Sequence, residues 1–422
     1  MSQTHAHKRS YFPRKKGLET CGIDLSRHLC FVRGSCATQL NQSKMWQNVL
    51  LFSGAASLSL AAPVPWNHGW NTTADMTFAD FRSPAEMTDA QVQFASDKYR
   101  IISLEKCSGI NSNMKTEDFV YSTAQRLKAI DPETKIFFYW DTSQAGLACY
   151  NANDEFVAHP EWWLKGDDGV PITPHVIDVM NTEAVSWWKS VPLGGQNGTG
   201  LYNGTPVKEL IDGVLADGSS WNNIANISIA RLEALSDAKE DMLLALQTDL
   251  TAANGGKVMA NGINMYGGPN EDPRTPSNHN VKVLRVAEAV MNEHTAAFES
   301  VNPQNASFNV DTVTQDFAAI DAAAAYDNGT RMVFIQTWPG LYAGVQQYPP
   351  VSAGGEPTPT NNSQWRQALT DHFPLAHALF LTVAQPNTYW FYGGTWYDSN
   401  TGVIACPDDP TSCPSPLDWY VY

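Results

Sequence analysis

The stretch "IDGVLADG", residues 211–218, is a short apolar run that stops at Asp217. Apolar strands commonly end in polar turn residues, so one such aspartate indicates little by itself. The pattern recurs along the chain, with apolar runs that end at intervals of 36 to 44 residues at Glu105, Asp141, Asp178 with Asn181, Asp217, Asn261, Glu299 and Gln336. One strand, one loop and one helix fill such an interval, which predicts a repeated strand–helix unit.

Helical patterns fill the stretches between these runs. The clearest are residues 116–130, 228–256, 278–294 and 311–329, where apolar side chains recur at helical spacing. An eighth strand is predicted at 387–394, after a helix-like stretch at 364–384. Alternating strands and helices predict a parallel sheet, and eight of them predict a (β/α)₈ TIM barrel of the α/β class. A further strand at 66–71 would shift this count by one.

The alternative fold is an open, doubly wound parallel sheet. That fold would favour a glycine-rich phosphate-binding turn after a strand, and the sequence has neither GxGxxG nor a P-loop. We therefore predict a single-domain barrel over residues 63–397. A proline-rich tail follows at 398–422.

The N-terminal region has the layout of a secretory signal peptide. Residues 1–44 are basic, and Met45 then opens an apolar run that ends in small residues near Ala62. We interpret 45–62 as the signal peptide and 1–44 as a non-native leader or gene-model extension. The alternative is a long cytoplasmic region on a signal anchor. Seven Asn-x-Ser/Thr sequons after the leader also favour export: Asn71, Asn197, Asn203, Asn226, Asn305, Asn328 and Asn361.

Four cysteines remain after the leader, an even number that suits an exported protein. Cys406 and Cys413 flank a short proline-rich loop. Cys107 and Cys149 follow the first two predicted strands on one face of the barrel, so we expect the pairs Cys107–Cys149 and Cys406–Cys413. We predict a secreted or cell-wall protein that acts as a monomer, with no membrane contact beyond its targeting.

The charge of the chain limits its partners. The formal net charge is −16, although the first 44 residues are basic. An acidic protein is a poor ligand for nucleic acid, because phosphate binding requires a basic face. We expect no nucleic-acid partner, no cofactor and no metal ion.

The predicted strand ends supply several carboxylates to one mouth of the barrel, where active sites of this fold lie. Glycoside hydrolysis requires two carboxyl groups that flank the scissile bond. Asp217 and Glu299 end the predicted fourth and sixth strands and could face each other across a sugar. A divalent cation is the competing use of an acidic mouth, but the sequence lacks a D-x-D-x-D loop. The residues expected to bind the sugar are Glu105, Trp140, Asp141, Asp178, Asn181, Asn261, Tyr266, Gln336 and Trp338.

The segments "KIFFYWDT", "HPEWWLKGDDG", "HVIDVMNTEAVSWWKSV" and "IDGVLADG" occur in that order. In this order they resemble glycoside-hydrolase-like (β/α)₈ families of uncharacterised polysaccharide enzymes, over about Ser83 to Tyr397. The chain is also distantly similar to the clan that contains α-galactosidases and α-glucosidases. The resemblance implies that Asp217 is the nucleophile and Glu299 the general acid, where that clan usually has an aspartate.

These observations predict a secreted glycoside hydrolase that acts on an extracellular poly- or oligosaccharide. The alternative is a non-catalytic carbohydrate-binding or cell-wall barrel, which would lack a carboxyl pair at hydrolytic separation. A polysaccharide lyase with Tyr266 or a histidine as base is disfavoured, since an acidic mouth repels uronates.

Overall fold

The computed structural model describes residues 78–81, 83, 85–143, 148–172, 176–195, 200–219, 226–263, 279–295, 301–302, 307–308, 310–337 and 362–392. Within them eight strands form one sheet. They are β1 (Phe78–Phe81), β2 (Ile101–Leu104), β3 (Lys135–Asp141), β4 (Gly213–Asp217), β5 (Lys257–Asn261), β6 (Ala289–Thr295), β7 (Met332–Thr337) and β8 (Thr388–Tyr392).

The strands follow one another around the sheet in chain order, and each pairs in parallel with the next. The first and last strands approach through their side chains, with the rings of Phe78 and Phe391 6.0 Å apart. This arrangement is a nearly closed (β/α)₈ barrel. The predicted fold class is therefore confirmed.

Nine helices accompany the strands in the described part of the chain. They are α1 (Asp89–Lys98), α2 (Thr116–Ile130), α3 (Ala152–Ala158), α4 (Thr182–Ser190), α5 (Val207–Leu210), α6 (Ile229–Asn254), α7 (His279–Val286), α8 (Val310–Ala325) and α9 (Asn362–Val383). No helix in these ranges is long and apolar enough to span a bilayer.

Two of the predicted helices match their sequence patterns closely. Helix α2 covers 116–130 as predicted, with Lys115 at its N-cap. Helix α6 ends at Gly255, which adopts a left-handed φ of 74°. Glycine reaches this conformation without a steric penalty, which is why the helix stops there.

Aromatic rings fill the lower interior of the barrel. Phe334 of β7 lies 4.7 Å from Phe78 and 6.1 Å from Phe137, ring centre to ring centre. Gly213 of β4 makes room for this layer, since a Cβ atom there would lie 2.4 Å from the Phe137 ring. The glycine of "IDGV" therefore permits the packing of the barrel floor.

Two strand predictions are wrong. The first strand of the barrel is "FADF", Phe78–Phe81, which the sequence interpretation missed because only four residues of it are extended. Residues 176–181 are not a barrel strand. Ile177 there forms an isolated antiparallel bridge with Trp163, and Asn181 caps α4 by accepting hydrogen bonds from the backbone N–H groups of Glu183 and Ala184.

The sixth strand is also displaced from its predicted place. The stretch 278–294 was predicted to be one helix, but α7 ends at Val286 and β6 begins at Ala289. Because one strand is gained before β2 and one is lost after β3, Asp217 still ends the fourth strand. The carboxylate that the sixth strand carries is Glu293.

The Cys107–Cys149 disulfide is present, as predicted. It joins the segment after β2 to the segment before α3. Residues 159–172 include a hairpin-like turn, with Gly169 at a left-handed φ of 78° and Lys165 bridged to Pro171. The predicted leader, signal peptide, Cys406–Cys413 pair and tail lie outside the described residues.

Candidate active site

Side chains alternate along the barrel strands between the interior and the helices, as the pleat requires. In β3 the Phe137 ring lies in the barrel interior against Phe334, whereas Trp140 packs outward against Tyr150 and Trp188. Tyr139 and Asp141 share the interior face with Phe137. The C-terminal strand ends thus direct polar side chains into the mouth, above the aromatic floor.

Asp217 lies at the centre of these side chains. Its Oδ2 accepts a short hydrogen bond from the Tyr139 hydroxyl and lies 3.6 Å from Lys106 Nζ. Its Oδ1 accepts hydrogen bonds from Gly218 N–H at 2.7 Å and from Asn261 Nδ2 at 2.8 Å. Four donors therefore surround one carboxylate, and all of them favour its ionised form.

Asn261 joins Asp217 to a second carboxylate. Its Nδ2 also donates a short hydrogen bond to Glu293 Oε2, so one amide nitrogen bridges the ends of β4 and β6. Two hydrogen bonds of ordinary length from one nitrogen place the two accepting oxygens at most about 6 Å apart. Asn261 itself is buried. The bridge joins the ends of the fourth and sixth strands, the strands that the sequence resemblance implies carry the catalytic carboxylates.

Lys106 is the cation of this cluster. Its Nζ donates to the Tyr139 hydroxyl at 2.8 Å and lies 4.6 Å from the centre of the Tyr139 ring. Burial lowers the pKa of Lys106, but the negative charges of Glu105, Asp217 and Glu293 outweigh burial and leave the pKa above its ordinary value. Lys106 therefore remains protonated beside Asp217.

Two further carboxyl groups lie buried next to this cluster, Asp80 of β1 and Glu105 after β2. Burial, together with the charge of Glu293, raises the pKa of Asp80 to about 7. Burial and the charge of Asp80 raise the pKa of Glu105 well above its usual range. Carboxyl groups this close cannot all be ionised, so the cluster retains protons near neutral pH.

The pKa of Asp217 is also raised. Burial is the main cause and the charge of Glu293 comes second, while Lys106 and the Tyr139 hydroxyl act in the opposite direction. Asp141 pairs in register with Asp217 across β3 and β4 and adds to the rise. Asp141 accepts hydrogen bonds from the backbone N–H and the hydroxyl of Ser143, at 2.6 and 2.9 Å. Asp217 therefore depends on its hydrogen-bond donors and on Lys106 to remain ionised.

The structure brings together many of the residues predicted from the sequence. Glu105, Asp141, Asp217 and Asn261 all lie at C-terminal strand ends around one mouth. Gln336 lies two residues after Phe334 in β7, on the same strand face, and is buried. Their proposed contacts with sugar stay predictions.

Three predictions for the site need correction. Trp140 cannot stack on a sugar, because its ring is fully buried between the barrel and α4 and its Nε1 donates to the backbone oxygen of Trp188 at 3.0 Å. Asp178 and Asn181 do not end a barrel strand. Asp178 accepts a hydrogen bond from the backbone N–H of Met180, and Asn181 caps α4.

Glu299, Tyr266 and Trp338 lie outside the described residues.

Sequence reasoning missed four residues of the cluster around Asp217: Asp80, Lys106, Tyr139 and Glu293. It also missed Lys239 of α6, whose Nζ donates a hydrogen bond to the backbone oxygen of Gly218. Asp80 and Glu293 sit inside short strands that were not recognised, as "FADF" and within "AVMNEHT". A polar residue at alternate positions of an apolar strand is the signal that could have found them. Lys239 lies on a helix and carried no such signal.

Metal binding was the competing use of an acidic mouth. In the ranges that the structure describes, no group of three or more His, Cys, Asp or Glu side chains is arranged to hold a metal ion. Both carboxylate oxygens of Asp217 accept hydrogen bonds, from Tyr139, Asn261 and the Gly218 N–H, and Lys106 lies 3.6 Å from Oδ2.

No protein-family model and no curated protein matches this chain. Similar solved structures include an α-amylase from Geobacillus thermoleovorans complexed with acarbose, with a TM-score of 0.41 and 9% identity over 82% of this chain and 74% of that chain. Another is the PgaB glycoside hydrolase domain from Bordetella bronchiseptica, with a TM-score of 0.41 and 9% identity over 71% and 85%. Oxaloacetate acetylhydrolase is also similar, with a TM-score of 0.31 and 9% identity over 63% and 68%.

The distant structural neighbours of this barrel thus include glycoside hydrolases. At these TM-scores the (β/α)₈ assignment depends on the strand order and register of the chain itself.

Proposed function

We propose that this chain is a secreted, retaining glycoside hydrolase that acts on an extracellular poly- or oligosaccharide. Asp217 is its nucleophile, and Glu293 is its general acid and base. The observation that carries the proposal is the hydrogen bonding of Asn261 Nδ2 to both carboxylates. Glu293 takes the role that the sequence resemblance implied for Glu299.

The separation of the pair favours retention. Retaining glycosidases hold their carboxyl groups about 5–5.5 Å apart, and inverting enzymes about 6.5–9.5 Å apart to admit a water molecule. The bridge through one nitrogen keeps the nearest oxygens of Asp217 and Glu293 within about 6 Å. The shorter class fits this site.

Asp217 suits the role of nucleophile because its surroundings favour the anion. Lys106, Tyr139 and Gly218 N–H all stabilise its negative charge. Attack of an Asp217 oxygen on the anomeric carbon forms a glycosyl–enzyme ester as the bond to the leaving oxygen breaks.

Glu293 suits the role of acid and base. It is partly exposed near the end of β6 and shares the mouth with Asp80, Glu105 and Asp217, and carboxyl groups this close cannot all be ionised at once. In the first step its proton moves to the leaving oxygen. In the second step the Glu293 carboxylate takes a proton from water, whose oxygen attacks the anomeric carbon and releases Asp217.

Export of the protein is supported by the N-terminal sequence, the sequons and the Cys107–Cys149 disulfide. The three sequon asparagines within the described residues, Asn203, Asn226 and Asn328, are all exposed. Exposure is required for N-glycosylation, and disulfides persist in oxidising compartments. A secreted or cell-wall location remains part of the proposal.

The test compares wild type with Asp217→Asn and Glu293→Gln on a panel of glycans and aryl glycosides. We expect Asp217→Asn to lose nearly all activity. Glu293→Gln should keep much more of its kcat/KM on aryl glycosides with acidic leaving groups, which need no protonation, while its kcat falls because the second step lacks its base. Asp241→Asn and Glu209→Gln, which alter exposed helix residues, are the matched controls and should behave as wild type.

Two results would count against the proposal. Cleavage by Asp217→Asn at the wild-type rate removes Asp217 from the chemistry. Tight glycan binding by wild type with no cleavage of any panel member supports the non-catalytic carbohydrate-binding barrel instead.

A further inference from the structure

A lysine of helix α6 contacts the turn that carries the proposed nucleophile. Lys239 lies in α6 on the buried face of that helix, together with Leu235, Met242 and Leu243. Its side chain is almost fully buried. Its Nζ donates a hydrogen bond of 2.7 Å to the backbone oxygen of Gly218, in the turn that follows β4.

The same turn is held from β3. The Thr142 hydroxyl lies 2.6 Å from the Gly218 oxygen and 2.7 Å from the Asp217 backbone oxygen, which also accepts the Thr142 backbone N–H at 2.8 Å. Thr142 therefore contacts the carbonyl oxygens of two consecutive peptide groups, and Lys239 binds the second of these oxygens, that of Gly218.

The first of these peptide groups contacts the Asp217 carboxylate directly. The peptide between Asp217 and Gly218 presents the Gly218 N–H to Asp217 Oδ1 at 2.7 Å. Gly218 has a left-handed φ of 61°, and a Cβ atom there would lie 2.9 Å from the Ser143 hydroxyl. The turn thus has one close-fitting conformation, and it includes a donor to the proposed nucleophile.

We propose that Lys239 is a positioning residue for Asp217: it holds the Gly218 carbonyl and so fixes the turn in which the Gly218 N–H orients the carboxylate for attack. This inference rests on the proposed function, in which Asp217 is the nucleophile. Lys239 touches neither the substrate nor the reacting atoms in this scheme.

The charge of Lys239 adds to the effect. Burial lowers the pKa of Lys239 to about 7, although Asp141 and Asp217, the carboxylates that face it from β3 and β4, favour its protonated form. Below pH 7 the ammonium group is therefore charged and stabilises the Asp217 carboxylate. Loss of that charge makes Asp217 harder to ionise.

The test is Lys239→Met. Methionine keeps a long, unbranched side chain but removes the hydrogen-bond donor and the positive charge. We expect kcat to fall about 10- to 100-fold with KM changed little, because the nucleophile is displaced and substrate contacts are not. The acidic limb of the pH profile of kcat/KM should move to higher pH. Lys257→Met is the matched control, since Lys257 is also a buried lysine but pairs with Glu288 at the opposite end of the barrel.

The outcomes separate this inference from the proposed function. If Asp217→Asn is inactive while Lys239→Met has the wild-type kcat and pH profile, only the role of Lys239 is wrong. Equal losses in Lys239→Met and Lys257→Met would also overturn it, because they indicate a general effect on stability. If Lys239→Met does not fold, Lys239→Gln serves instead, and an acidic limb that stays at the wild-type pH would contradict the inference.

Discussion

Asp217 receives four hydrogen-bond or ionic contacts, and its partner Glu293 shares one of the donors. Each contact opposes the effect of burial, which favours the protonated carboxyl group. The reactivity of the proposed nucleophile therefore depends on individual donors.

Tyr139→Phe removes the hydroxyl that donates to Asp217 and accepts from Lys106. A hydrogen bond to a charged group contributes about 1.5–3 kcal/mol, so kcat/KM should fall about 10- to 150-fold. The acidic limb of the pH profile should move to higher pH, since the hydroxyl lowers the pKa of Asp217. Tyr150→Phe is the control, because that buried hydroxyl donates to the backbone oxygen of Tyr139. An unshifted limb in Tyr139→Phe would contradict this role.

Asp80→Asn tests the buried acid. The pKa of Asp80 is about 7 in the folded protein, raised by burial and by Glu293, against 3.8 for an ordinary aspartate. A carboxyl group with a raised folded pKa contributes stability that is present below pH 4 and lost as the pH rises through 7. The difference in free energy of unfolding, Asp80→Asn minus wild type, should therefore increase between pH 4 and pH 8, by on the order of 2–4 kcal/mol.

Urea unfolding at several pH values measures this difference. Asp241→Asn, at an exposed position of α6, is the control and should keep a constant difference from wild type. A difference that does not vary with pH in Asp80→Asn would show that Asp80 titrates as an ordinary carboxyl group.

At the scale of elements, the disulfide fastens the loop that carries Lys106. Cys107 follows Lys106 directly and is bonded to Cys149, 42 residues further along the chain. The double variant Cys107→Ser/Cys149→Ser should lower the free energy of unfolding by about 2–4 kcal/mol, because it frees a loop of this length. Thermal unfolding without reductant measures the loss, and an unchanged midpoint would contradict the prediction.

The sequence predicts the elements unevenly, and the reasons are physical. Long amphipathic helices such as α2 and α6 carry many periodic positions and clear ends, so their bounds follow from the pattern. Strand β1 has only four residues, which is too few to show a clear alternation. The boundary between α7 and β6 is also hidden in the pattern, because only two residues lie between the end of the helix at Val286 and the start of the strand at Ala289. Glu293 was missed for this reason.

One residue near the site lies on a helix, where the sequence pattern does not reveal its role. Lys239 occupies an ordinary position of a helical pattern, and only its packing against the turn after β4 reveals its contact with Gly218. Trp140 shows the opposite error. Proximity to a strand end suggested a sugar-stacking ring, but alternation along β3 directs it towards the helices.

The whole barrel divides into one end that carries the proposed chemistry and one that carries stability. At the N-terminal end of the barrel strands, Asp212 contacts Lys128 Nζ at 2.6 Å and Lys135 Nζ at 3.5 Å, and accepts the Ile136 N–H at 3.0 Å. None of these residues is among the contacts of Asp217.

Asp212→Ala should therefore lower stability without altering catalysis. It leaves two partly buried lysines without this partner, and we expect a loss of about 2–3 kcal/mol in the free energy of unfolding. Below the unfolding transition, kcat/KM should stay within about twofold of wild type. A large loss of kcat/KM in a folded Asp212→Ala protein would contradict this division of the barrel.

The stereochemistry of hydrolysis tests the Asp217–Glu293 pair most directly. Proton NMR of the first sugar released from a cleaved glycan or aryl glycoside distinguishes the two anomers before they interconvert. A pair bridged by Asn261 predicts that the product first appears with the anomeric configuration of the substrate. First appearance of the opposite anomer would contradict the account, because it requires a water molecule between the carboxylates in place of a covalent bond to Asp217.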